Sequence, residues 1–81
     1  MNTTAARTVL VDLLRRVAPE VDLDAVDPEV DLQDAADLDS MDFLNLVTAL
    51  HETTGIDVPE RDYPALATVS GFVDYVVARS P

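Results

Sequence analysis

Apolar residues recur along this chain at helical spacing in three stretches, and nowhere do they alternate as they would in a strand. Ala6, Val9, Leu10, Leu13, Leu14 and Val17 follow the i, i+3, i+4, i+7 pattern and predict an amphipathic helix over residues 3–17. Thr3 or Thr4 is the expected N-cap, and Pro19 is the stop. Residues 18–38 form a long connection with Pro19, Pro28 and many aspartates. A loop of that length in a small domain is uncommon and often functional. Val21, Leu23, Val26, Val30, Leu32 and Leu38 recur through it, and several of them are expected to pin it to a bundle.

The second periodic stretch predicts a helix over residues 40–54, with Phe43, Leu46, Val47 and Leu50 on one apolar face. Met41 and Leu44 fall off that stripe and are expected to be partly exposed. Gly55 suits the left-handed end of a helix. Ile56 and Val58 then return the chain to the core. Pro59 fits the first turn of a short helix over about 60–63, and Pro64 is expected to limit it. Thr68 reads as the N-cap of a last helix ending near Arg79, with Val69, Phe72, Val73 and Val76 on its inner face. Gly71 inside that helix costs roughly 1 kcal/mol against Ala, so it points to close helix packing. The expected fold is therefore all-α: three main helices, one short third helix and a long first loop.

Composition narrows the chemistry. The chain has 81 residues, enough for one small domain. It has no cysteine and one histidine, which excludes disulfides, a thiol nucleophile and a Cys-based zinc site. No apolar run approaches the roughly 20 residues of a membrane span, and no signal-peptide pattern opens the chain. A soluble, cytoplasmic monomer is the expectation. The formal net charge is −11, from 16 acids against five arginines and no lysine. That argues against nucleic-acid and membrane partners and favours proteins with a basic docking patch. Ten of the acids lie between Glu20 and Asp42, and no Lys or Arg stands between Arg16 and Arg61. The negative field is thus centred on the first loop and the turn after it. Self-repulsion there should make the fold sensitive to salt and divalent cations.

Asp39-Ser40-Met41 sits where this acidic loop runs into the second helix. A serine hydroxyl at that point is exposed beside first-turn N–H groups that lack intrahelical partners. Together with Phe43-Leu44-Asn45-Leu46-Val47, with Gly55-Ile56-Asp57-Val58-Pro59 and with Thr68-Val69, this order of elements resembles the acyl carrier protein family from about residue 5 to 79. The resemblance implies an acyl-carrier-like four-helix bundle over residues 1–81 as a single carrier domain. It implies a carrier rather than an enzyme, with 4'-phosphopantetheine attached to Ser40; a chain running from Met1 to Pro81 without linkers leads us to expect a discrete carrier rather than a domain of a large synthase. Acyl or aminoacyl groups would then travel as thioesters in fatty-acid, polyketide or peptide-type biosynthesis. A phosphopantetheinyl transferase would install the arm. Acyl- or aminoacyl-loading, condensing and tailoring enzymes would be the later partners, with Asp39, Met41, Asp42, Leu44 and Glu52 as docking residues.

The sequence departs from the family in two places. Asp37 occupies the neighbourhood where many members have a glycine, after Ala36 as the preceding apolar position. Asn45, Thr48 and His51 are uncharged or nearly so where fatty-acid carriers often bear acids, which favours a specialised pathway such as polyketide or peptide assembly. Other readings fare worse. From Asp27 an EF-hand would need glycine at Leu32 and glutamate at Leu38, so only weak divalent binding is expected. Ser40 and His51 lie eleven residues apart on one helix, about 16 Å along its axis, and cannot form a catalytic pair. The competing class is a non-carrier acidic module that binds a basic partner, with Ser40 only a helix cap.

Overall fold

The computed structural model describes residues 1–80. Helix α1 spans Thr3–Val17, α2 is a single turn over Leu32–Ala35, α3 spans Ser40–Thr54 and α4 spans Val69–Arg79. Short 3-10 segments lie at Leu23–Ala25 and Glu60–Leu66. Helix α1 packs against both α3 and α4, and α4 also holds the Glu60–Leu66 segment. Leu10, Leu13, Leu14, Leu46, Leu50, Leu66, Phe72 and Val76 are sealed between them. No polar side chain is buried among the described residues, so the core is held by non-directional apolar burial.

The main helices fall where the periodicity places them, α1 included, but the cap of α1 is not the residue expected. Asn2 is the cap, its carboxamide oxygen accepting from the Ala5 N–H at 2.8 Å, while Thr3 and Thr4 are already helical. Asn is as good an acceptor as any at that position, and it lies one residue further out. Val9 and Val17 are half-buried rather than sealed, at the edge of the α1 stripe.

The connection of residues 18–38 is more ordered than its composition suggests. Asp22, Asp27 and Asp31 each fold a carboxylate onto a backbone N–H two residues on, at 3.1, 2.9 and 2.9 Å. Such Asx turns make local structure out of residues that otherwise read as solvated charge. Asp31 also caps α2. Leu23, Leu32 and Leu38 are buried and Val21 and Val26 partly so, which pins the loop as expected. Val30 does not contribute: it is 43% exposed, at the bend after Pro28-Glu29. The loop is stitched to the start of α4 by Leu32 N–H donating to the Ala67 carbonyl at 2.6 Å and Ser70 N–H to the Pro28 carbonyl at 3.0 Å.

Pro64 does not end the short segment before α4. The 3-10 turns run through it from Glu60 to Leu66, because a φ near −65° suits this tighter helix and only one local N–H is lost. Thr68 caps α4 by accepting from the Gly71 N–H at 3.0 Å. Gly71 marks the expected close approach: a Cβ there would collide with the Ala65 carbonyl oxygen. The 3-10 segment is also held from outside. Tyr75 Oη donates to Asp62 Oδ2 at 2.8 Å, Arg79 reaches the same oxygen at 3.3 Å, and the Arg79 guanidinium lies 4.9 Å from the Tyr75 ring centre. Burial, then the bond to Asp62, raises the Tyr75 pKa above the usual tyrosine value.

Candidate functional site

Helix α3 begins with a reciprocal cap. Asp39 is the N-cap, and its Oδ1 accepts from the Asp42 N–H at 2.8 Å. Asp42 reaches back, its Oδ2 accepting from the Asp39 N–H at 3.4 Å. Ser40 is therefore the first residue inside the helix, not its cap. Its hydroxyl is exposed and makes no hydrogen bond among the described residues. The N–H groups of Ser40 and Met41 likewise bond to nothing there, as the helix geometry requires of its first turn.

Asp37 sets the approach. Its φ is 55°, the only positive value outside glycine among the described residues. A left-handed residue here turns the chain from α2 into the cap, and Leu38 N–H closes the turn onto the Gln33 carbonyl at 2.8 Å. The absence of glycine thus leaves the tight turn intact. Aspartate tolerates this conformation better than most residues, though at some strain.

The other expected site residues divide. Met41, 65% exposed, and Leu44, 42% exposed, flank Ser40 and form an apolar rim among the acids. Asp39 and Asp42 are beside Ser40 but are part of the cap. Glu52 is remote, twelve residues further along α3, or about 18 Å. Its carboxylate pairs with Arg16 of α1 at 3.4 Å, both side chains largely exposed. By contrast, Asp27, Glu29, Asp31, Asp34, Asp37, Asp39 and Asp42 have no ion-pair partner among the described residues. No group of three or more acidic or histidine side chains there is placed to hold a metal ion. The weak divalent binding expected of the acidic loop has no preformed cluster of that kind among the described residues. His51 is exposed, its Nδ1 3.3 Å from the Ile56 carbonyl oxygen, far from Ser40 as expected.

One feature was invisible in the sequence. A cleft of about 390 Å³ opens beside Ser40, walled by Phe43 and Leu44 of α3, Tyr63 and Pro64 of the 3-10 segment, Ala67, Gln33 of α2 and Glu60. Tyr63 meets Phe43 edge to face, ring centres 5.7 Å apart. Three separate segments build this cleft, so no local pattern signals it. The site thus offers an unengaged hydroxyl, two free N–H groups that favour an anion by about 0.3–1 kcal/mol, and a mainly apolar cleft alongside. Those features fit a phosphate ester bearing a longer chain.

Residues 8–76 match the family model described as the phosphopantetheine attachment site. The acyl carrier protein of Syntrophobacter fumaroxidans (strain DSM 10017 / MPOB) is 30% identical over 76 residues, which cover 94% of this chain and 93% of that protein. The chain belongs to the acyl carrier protein family. Two further acyl carrier proteins share shorter regions. That of Lactobacillus johnsonii is 36% identical over 56 residues, covering 69% of this chain and 70% of its own. That of Rubrobacter xylanophilus is 35% identical over 57 residues, covering 70% of each chain. Membership makes the protein a carrier and not an enzyme, with phosphopantetheine as its cofactor. None of the described helices is long and apolar enough to cross a membrane.

Proposed function

We propose that residues 1–81 act as a single carrier domain holding acyl or aminoacyl groups on 4'-phosphopantetheine attached to Ser40. The observation that carries this reading is the division of labour at the start of α3. Asp39 caps the helix, so the Ser40 hydroxyl is released from any structural duty while remaining exposed. Asp39 in the N-cap position speaks against the reading in which Ser40 serves only as a cap.

In the proposed reaction Ser40 Oγ attacks the phosphorus of coenzyme A that bears the pantetheine. The Oγ–P bond forms, the pyrophosphate P–O bond breaks, adenosine bisphosphate leaves and the serine proton passes to a base on the transferase. When bound, the cofactor supplies a terminal thiol on which cargo is held as a thioester. This chain's part is to expose Ser40, to shelter what hangs from it and to present a surface. Met41 and Leu44 supply apolar contact, and Asp39, Asp42 and the unpaired acids of the loop meet basic residues of the transferase and of loading, condensing and tailoring enzymes. Charge of this kind speeds encounter and fixes register more than it tightens binding, which suits a carrier that must leave each partner. Glu52, paired with Arg16, contributes less.

The exposed, uncharged Asn45 and Thr48 on α3 favour polyketide or peptide-type assembly over fatty-acid synthesis, in the cytoplasm. Intact mass after incubation with coenzyme A and a promiscuous phosphopantetheinyl transferase tests the proposal. One arm on the wild type and none on Ser40→Ala is the expected result. A folded wild type that takes no arm would instead favour an acidic binding module.

A further inference from the structure

Gln33 is half-buried on α2 and faces the cleft beside Ser40, yet neither the fold nor the helix cap uses its side chain. Its backbone is fixed on both sides. The N–H donates to Asp31 Oδ1 at 2.9 Å, and the carbonyl accepts from Leu38 N–H at 2.8 Å. Leu32 next to it is tied to Ala67, which also lines the cleft. The carboxamide itself makes no hydrogen bond among the described residues. It offers two donors and a carbonyl acceptor, and its neighbours across the cleft include Phe43, Leu44, Tyr63 and Pro64. A polar group so placed is satisfied by water or by a ligand that brings a matching group.

We infer that Gln33 is a positioning residue for the cofactor, pairing its carboxamide with one of the two secondary amides of the pantetheine chain. This rests on the reading of Ser40 as the attachment residue. Ser40 lies on the rim of the same cleft, so a group tethered there meets Gln33 without a diffusional search. The cleft's size, about 390 Å³, lies at the small end of ligand pockets. Its composition matches the tethered group: amides joined by methylenes against the Gln33 carboxamide, with Glu60 at the edge and mainly apolar walls between. A purely apolar cargo would use the walls and leave Gln33 to water. The fixed backbone of Gln33 lowers the ordering cost of the contact. The resting carrier therefore keeps its arm against α2 and the 3-10 segment until a partner draws it out.

The test uses the full chain carrying an unacylated arm, with attachment checked first by intact mass. Amide hydrogen exchange of the arm is then read by NMR in wild type and Gln33→Leu, with the Gln33 side-chain resonances followed before and after attachment. In the wild type one arm amide should exchange about fivefold more slowly than in free pantetheine, the ratio one net hydrogen bond supports. The Gln33 side-chain signals should shift on attachment. Gln33→Leu should accept the arm and melt like the wild type, but lose the slow exchange. If the arm attaches and both amides exchange at the free rate, or the slow exchange survives in Gln33→Leu, the anchor is refuted while the carrier reading stands. If no arm attaches to the folded wild type, both fall.

Discussion

Helix α3 ends at Gly55 through backbone geometry and burial, whereas it begins at Asp39 through carboxylates and exposure. At the C-terminus Gly55 takes φ 77°, its N–H bonds the His51 carbonyl at 2.8 Å, and Ile56 and Val58 plunge straight into the core. At the N-terminus Asp39 and Asp42 satisfy each other's amides, the N–H groups of Ser40 and Met41 stay free, and the side chains of Ser40 and Met41 are exposed. One end is closed so that the chain can pack. The other stays open and leaves the Ser40 hydroxyl exposed. The exposed end is held by a capping box of two local, charged residues rather than by burial.

Substitutions at the two ends should separate these roles. Gly55→Ala should cost about 1–2 kcal/mol, from backbone strain alone, because a Cβ there meets nothing within 4 Å. Denaturant melts would read the loss, and arm attachment should be unchanged; a neutral effect would mean the closed end does not depend on the left-handed turn. Asp39→Ala should cost about 1 kcal/mol through the lost cap. Asp39→Asn keeps an acceptor while removing a charge from the unpaired acidic loop, so it should retain wild-type stability or gain slightly. If Asn is as damaging as Ala, charge and not capping is what Asp39 provides.

Asp37→Gly should act in the opposite sense and stabilise by about 0.5–1 kcal/mol. Relief of left-handed strain there outweighs the added freedom of the unfolded chain. A destabilised variant would show that the Asp37 side chain has a further partner. The smallest effect lies in the pH profile. Because folding raises the Tyr75 pKa, the phenol's contribution is fully present below the ordinary tyrosine pKa of 10.0 and is lost as pH rises through the folded value. Melts across that alkaline range should fall more steeply in wild type than in Tyr75→Phe. Equal slopes would remove the Tyr75–Asp62 bond from the account.

The three main helices were legible because periodicity of 3.6 needs only the order of residues, and Gly55 and Thr68 punctuate by intrinsic backbone and side-chain preference. The inner structure of residues 18–38 was not. Asp22, Asp27 and Asp31 look the same in sequence as the acids that remain free, and only the local fold shows which carboxylates turn back onto the backbone. Pro64 misled for a related reason: it breaks an α-helix, and the segment there is 3-10. The motif around Ser40 was readable, but its neighbours Gln33, Glu60 and Tyr63 come together only through packing of α2 and the 3-10 segment against α3. Glu52 was placed on the right helix, while its pairing with Arg16 depends on where α1 lies.

In the proposed division of labour Asp39 holds the helix and leaves Ser40 free to react. Its most direct test is a denaturant melt of Ser40→Ala set beside its intact mass after treatment with coenzyme A and transferase. Wild-type stability is expected, within about 0.5 kcal/mol as for exposed surface substitutions, together with complete loss of the arm. A loss near the 1 kcal/mol typical of a cap, or an arm still attached to the variant, would contradict it.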